Sequence, residues 1–420
     1  MVIRPGGHVK GPGSHHAGTE ERPQPPTGRT PVTDWATDFD HQDPAWTADP
    51  YPIWDELRTR CPLARSQRFG TTWLPTTHAM ISAVAYDTEH FSSCQVTVRE
   101  PGSEHYHSPP ITSDPPEHGP VRRLLTPAFS PQAVAPFEPV TRHICTELLD
   151  AICPKGRADA ATEYAQHIPV RVIANLLGVP ASDGDLFRHW LHVLFEIAPG
   201  NPRARDAAMV EIEEYFRAAI AAHRRAGHDD LICSLLAAEL GGEELSEAHI
   251  LGTLRILLLA GVDTTWSAIG ASLWHLARHP DDRHRLVEHP GLFATATEEL
   301  LRAYAPVTMA RLVVKEVELD GHVLQPGDQI LLPFPAANRD PAAFPDAHRV
   351  ILDRTENRHV AFGLGIHRCL GSHLARLELR IALQEWLARI PEFSLEDPAA
   401  VVWSTGQVRG PRALPVVFGP

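Results

Sequence analysis

The stretch from Ser246 to His279-Pro280 holds no proline between its ends, and around Leu257 to Leu259 it is apolar on nearly every side. Ser246 suits a helix N-cap, Glu247 favours the first turn, and His279-Pro280 stops the pattern. One helix over this range is about 50 Å long at ~1.5 Å per residue. A helix apolar all round belongs in an interior, so the rest of the chain must enclose it. The pattern therefore predicts a helix crossing the middle of the molecule.

The midpoint of that helix is chemically odd. Ala260-Gly261-Val262-Asp263-Thr264-Thr265 puts a glycine, a carboxylate and two hydroxyls into a buried apolar run. These are poor residues for a helix interior, and an unpartnered buried carboxylate is expensive. The expectation is a local distortion, with Thr264 opening a backbone bond to make a groove or water site.

The flanking chain reads as mainly α with a strand-rich minority. A short helix runs from Asp49-Pro50-Tyr51-Pro52 to about Arg60, and strands follow over 63–74. Residues 92–111 form a long loop, and loops of that length in compact domains are often functional. Helices are expected over 114–125, 131–152, 161–177, 185–197, 204–225 and 229–240, from apolar spacings of three and four. After the central helix come a helix over 293–304 and strands over 312–319 and 329–333. Asp320-Gly321 is a hairpin signal and Pro326-Gly327 a second turn. Residues 333–358 are irregular, and a last helix covers 370–389. No internal repeat is present. Residues 1–33, rich in Pro, Gly and His, read as a disordered tail, and 34–420 as one domain.

Composition excludes several classes of function. A net charge of −14 argues against general nucleic-acid binding. The N-terminal stretch has no apolar signal-peptide core, and the longest apolar run, Ile256 to Val262, is too short to span a bilayer. The six cysteines include no C-x-x-C pair, and a chain of 420 residues needs no disulfide staples. The reading is a soluble, monomeric protein of a reducing cytoplasm.

One cysteine stands apart. Phe362-Gly363-Leu364-Gly365-Ile366-His367-Arg368-Cys369-Leu370-Gly371 holds Cys369 in a glycine-punctuated loop that opens directly into a helix. The glycines clear side chains from the sulfur and let backbone N–H groups and a flat ligand approach it. The helix N-terminus favours a thiolate.

The pattern F-G-x-G-x-H-x-C-x-G resembles the haem-binding loop of the cytochrome P-450 family, and the likeness extends over residues 35 to 420. It implies haem b with Cys369 as the axial thiolate on iron, and Phe362, Gly363 and Gly371 framing the loop. Glu299-x-x-Arg302 resembles the family's E-x-x-R pair, with Arg349 as third member of a buried ion network that supports the loop, although Val350 stands where the family often has an aromatic. Asp263-Thr264 resembles its acid–alcohol pair, with Thr264 next to dioxygen and Asp263 relaying protons. His118, Arg122, Arg311 and His367 match positions that meet the haem propionates. Substrate contacts are expected from Leu258, Ala260, Gly261, Val307, Met309 and Trp403, a mostly apolar set suited to an apolar small molecule. The closing Trp403-Ser404-Thr405-Gly406-Gln407-Val408-Arg409-Gly410-Pro411 is similar to the catalytic domain of the reductase-fused branch, here without the reductase.

The resemblance implies a haem-thiolate monooxygenase that hydroxylates or demethylates its substrate with O2. No G-x-G-x-x-G follows a strand, so electrons from NAD(P)H must arrive through a separate ferredoxin or flavodoxin and its reductase. Arg122, Arg123 and Arg368 offer that partner a basic face. A peroxide-driven enzyme or a non-catalytic haem sensor are the alternatives, and neither has a use for Asp263-Thr264.

Overall fold

The computed structural model describes residues 30–99, 106–197, 201–226 and 230–419. Most of the expected tail, residues 1–29, and part of the 92–111 loop lie outside that set. Thr30 and Pro31 are described, and their carbonyls accept hydrogen bonds from Arg68.

The central helix, Glu247–Arg278, runs unbroken through the middle of the molecule, capped by the Ser246 hydroxyl, which accepts from His249 N at 3.3 Å. By length and composition it could cross a membrane, but 61% of its most apolar window is buried inside the protein, the mark of a core helix. The helices His167–Leu177 and Ser372–Arg389 pack against it. Together they build one core that reaches from Leu125 to Val416. A five-stranded sheet lies to one side, in the order Leu63–Ser66, Thr72–Pro75, Gln329–Pro333, Thr308–Val313, Phe91–Ser92. The Asp320-Gly321 turn is present, both residues at positive φ, between Val317–Leu319 and His322–Leu324.

Several helices are shorter or more broken than their apolar spacing suggests, each for a local reason. The helix expected from 114 starts at His118, after the turn that holds Pro115 and Pro116. The one expected over 131–152 divides into Pro131–Val134 and Phe137–Ile152 at Ala135-Pro136. The 229–240 helix stops at Leu236, and Gly241-Gly242, both at positive φ, turn the chain into a small hairpin. Two stretches end or begin as wider π turns, Ala160–Ala165 and Val193–Ile197. The second of these carries Glu196, which matters below.

Candidate active site

The Cys369 loop is folded by its own backbone. Cys369 N donates to Phe362 O at 2.7 Å, and Gly363 and Gly365 both take positive φ. Gly365 also lies against the helix His78–Tyr86, where a Cβ would meet Ala85 O at 2.6 Å. No other residue type fits that approach. Cys369 is exposed, and its exposed surface lines a mostly apolar cavity. Burial pushes the thiol up, while the Gly371 N–H and the charges of Arg122, Arg368 and Arg376 pull it down. A thiolate there needs a cation on its open side.

The cavity runs from Cys369 to the central helix, whose Leu257, Ala260, Gly261, Thr264 and Ala268 line it. These residues share one face at spacings of three and four. Thr264 Oγ1 donates to Ala260 O at 2.8 Å. The helix is continuous here, so the hydroxyl adds a donor to that carbonyl instead of breaking the helix as expected.

Asp263, one residue earlier, points elsewhere. It is buried and pairs with Arg412, Nη2 to Oδ1 at 2.8 Å, while its Oδ2 has no partner. Arg412 also binds Glu196 at 2.6 Å, donates to Ser267 Oγ at 3.1 Å and covers the Trp266 ring. Burial pushes the Asp263 carboxyl up to about 6, against the pull of Arg412 and with a push from Glu196.

At the other rim of the cavity the basic residues gather. Arg122, Arg311 and His367 line it, and His118 stacks edge-on to His367 at 4.4 Å. Among the described residues, Nε2 of both histidines is buried without a partner, and the Arg311 and Arg122 guanidiniums donate to the carbonyls of Ala310 and Arg368. Burial, reinforced by these like charges, pushes His367 down to about 3; burial pushes Arg311 down to about 10. Such a cluster is incomplete without an anion.

The brace is only partly as expected. Arg302 and Glu299 are fully buried and joined by two bonds of 2.8 Å. Arg349 is exposed, and it is its carbonyl that Arg302 Nη2 reaches, at 2.7 Å. The third charge of the network is Arg354, whose Nε donates to Glu299 Oε2 at 2.9 Å. Ile351 N and Asn357 Nδ2 also donate to Glu299, so this one carboxylate gathers the irregular segment that leads to Cys369. Glu298 holds the loop itself: Arg376 grips it at 2.7 and 2.8 Å and lies over the Phe362 ring. Neither Arg354 nor Glu298 carries a spacing signal, although Glu298 abuts Glu299 in the chain.

Comparison with known proteins agrees with this geometry. The family model described as Cytochrome P450 matches residues 185–289 and 292–401. The mycinamicin IV hydroxylase/epoxidase of Micromonospora griseorubida is 36% identical over 82% of this chain and 89% of its own. The chain belongs to the cytochrome P450 family. The P450 monooxygenase PikC of Streptomyces venezuelae is 35% identical over 88% of this chain and 91% of its own. The solved structure of the polyketide P450 PksS of Bacillus subtilis 168 superposes with a TM-score of 0.83, at 31% identity, over 91% of this chain and 100% of that one. This is therefore a bacterial-type P450 monooxygenase, an oxidoreductase of the class that uses haem with a cysteine thiolate on iron and incorporates oxygen from O2.

The residues present fit a haem. An apolar slot has a thiol at one face, a hydroxyl at the other, and unpaired basic groups at the rim where carboxylates are needed. Of the six expected substrate residues, Ala260, Gly261, Val307 and Met309 line the cavity. Leu258 does not: it is fully buried on the next face of the helix, one residue round from Leu257. Trp403 does not either; it packs edge-on against Trp274 at 5.2 Å and under Arg409 at 4.3 Å. Pro110, Ile111, Pro169 and Ile173 line the cavity instead, from the long loop and a neighbouring helix that no local pattern marks as facing it.

Proposed function

We propose that this P450 hydroxylates or oxidatively demethylates a largely apolar small molecule in the cytoplasm, taking electrons from a separate ferredoxin or flavodoxin and its reductase. The observation that carries the reading is the basic cluster at the rim of the cavity that Cys369 and Thr264 line: Arg122, Arg311 and His367 line it, His118 stacks on His367, and among the described residues Nε2 of both histidines is buried without a hydrogen-bond partner. Cys369 would hold the iron through its sulfur, and His118, Arg122, Arg311 and His367 would hold the propionates. Phe362, Gly363 and Gly371 shape the pocket around the sulfur. When bound, the haem supplies reductive activation of O2 and transfer of one oxygen atom.

The chain's own part is binding, exclusion of water and proton supply. Leu257, Ala260, Gly261, Val307 and Met309 present an apolar wall that desolvates and orients the substrate. Thr264 donates its proton to Ala260 O, which leaves its lone pairs free to accept a hydrogen bond from a group in the cavity. Asp263 lies behind it as a carboxyl that holds and releases a proton near neutral pH. Arg122, Arg123 and Arg368 give an acidic electron donor a basic face beside Cys369. One relative, 36% identical to this chain, is named as a hydroxylase/epoxidase of mycinamicin IV, which supports hydroxylation of a small molecule here.

The test is the carbon monoxide spectrum of the reduced protein. Wild type should show the Soret band of a thiolate-ligated haem, and Cys369→Ala should lack it. A wild type without that band refutes the reading. Thr264→Ala should keep the band and release more peroxide per NAD(P)H consumed; unchanged coupling removes Thr264 from the proton path.

A further inference from the structure

Away from the Cys369 cavity, His107, Glu117 and His249 converge from three parts of the chain, with one ligand atom of each within 4.8 Å of the others. His107 lies in the segment leading to the cavity-lining Pro110 and Ile111. Glu117 precedes the helix His118–Leu125, and His249 sits in the first turn of the central helix. His107 Nε2 stands 3.2 Å from Glu117 Oε1, and the two imidazole rings are 6.3 Å apart, edge to face. Nε2 of His249 is buried and, among the described residues, has no hydrogen-bond partner. A polar atom left in that state is costly unless something else fills the gap.

The cluster is held in place before any ligand arrives. Arg255 Nη2 donates to His107 O at 2.6 Å and to Ser108 Oγ at 2.9 Å, tying the segment to the central helix. At Gly252, one turn beyond His249, a Cβ would meet His107 O at 2.6 Å, so the two backbones are in contact. Little ordering remains to be done on binding.

We propose that His107, Glu117 and His249 form a site for a divalent transition ion, best matched by zinc, which ties the roof of the substrate cavity to the first turn of the central helix. Zinc with donors at about 2.0–2.2 Å in a tetrahedron separates them by roughly 3.4 Å. His107 and Glu117 stand 3.2 Å apart, close to that spacing, and the ligand atom of His249 lies within 4.8 Å of both, so a closing of up to about 1.4 Å completes the set. Two imidazoles and one carboxylate leave the fourth position to water. That donor set selects zinc over calcium and magnesium, which take oxygen ligands. The site uses none of the haem-facing residues, so it stands or falls apart from the reading above.

The experiment is equilibrium dialysis of the haem-loaded, full-length protein against zinc chloride with elemental analysis, for wild type, His249→Gln and His107→Gln. Wild type should hold one equivalent of zinc more than either variant at low micromolar free zinc, with excess calcium or magnesium making no difference. In wild type, zinc should also slow hydrogen exchange of the amides over 106–113, and His249→Gln should abolish that protection. Equal zinc content in all three proteins overturns the proposal, and so does protection that survives in His249→Gln. The exchange readout concerns the roof alone, so zinc taken up elsewhere on the chain cannot imitate it.

Discussion

Asp263 and Thr264 are adjacent in sequence yet serve opposite sides of their helix. Thr264 lines the cavity, and Asp263 is buried against Arg412 and Glu196. The type of both residues was legible, because hydroxyl and carboxylate in an apolar helix demand a reason. The partner of Asp263 was not, since Arg412 sits on a C-terminal strand, Pro411–Ala413, far along the chain. The burial of Asp263, only partly offset by Arg412, has a consequence for pH. The folded-state value of Asp263 is about 6, above the ordinary 3.8, so the folded protein holds an extra proton between those values. This carboxyl therefore contributes most to stability below about pH 4, and the contribution is lost as pH rises through about 6. From pH 5 to pH 7.5 the loss is on the order of 1 kcal/mol. Asp263→Asn has no such proton to lose. Urea unfolding at the two pH values should show the variant gaining on wild type by about that amount; a difference that does not change with pH would falsify the assignment. Cys369 was the easiest residue to find, because everything its loop needs is local: glycines, a turn and a helix start.

Among elements, the brace teaches where local spacing stops being informative. Glu299 and Arg302 are three apart on the helix Phe293–Ala303, so their contact follows from helical geometry. Their third partner comes from an irregular segment with no period to read. Arg349 and Arg354 both lie there, and only the fold decides that Arg354 points its guanidinium at Glu299 while Arg349 offers a carbonyl. Substitution separates them. Arg349→Ala keeps the backbone bond and should change stability by no more than about 0.5 kcal/mol. Arg354→Ala strips a donor from a buried carboxylate and should cost roughly 1–3 kcal/mol. Glu299→Ala, which strands the buried Arg302, should cost about 3–5 kcal/mol and impair haem retention. Denaturant melts of the three variants check the ranking, and equal losses for Arg349→Ala and Arg354→Ala would contradict it. The interrupted helices make the same point in reverse: their breaks fall at prolines and paired glycines, which outweigh an otherwise regular apolar spacing.

For the whole molecule, a net charge of −14 argues against polyanionic partners, yet Arg123 and Arg368 are exposed, and Arg122, next to one, bonds the carbonyl of the other beside Cys369. An acidic electron donor would meet a local field opposite to the global one. Its reduction of the protein should slow by about tenfold or more from low to high salt. Arg123→Glu should slow it at low salt and flatten the dependence; stopped-flow rates that ignore both salt and the variant would argue for a different face. The mainly-α architecture and the buried central helix were legible from one long apolar pattern. The cavity walls were not, since Pro110, Ile111 and Ile173 reach it through tertiary packing alone. The same central helix also acts as a ruler. Being unbroken, it fixes His249 and Thr264 about 22 Å apart at ~1.5 Å per residue. That is more than twice the ~8 Å over which charges are felt through physiological salt. Through the surrounding salt solution, a charge gained or lost at the cluster of His107, Glu117 and His249 is therefore largely screened before it reaches the Thr264 end. What remains is the path along the buried helix itself, a fixed span of protein atoms between the two ends.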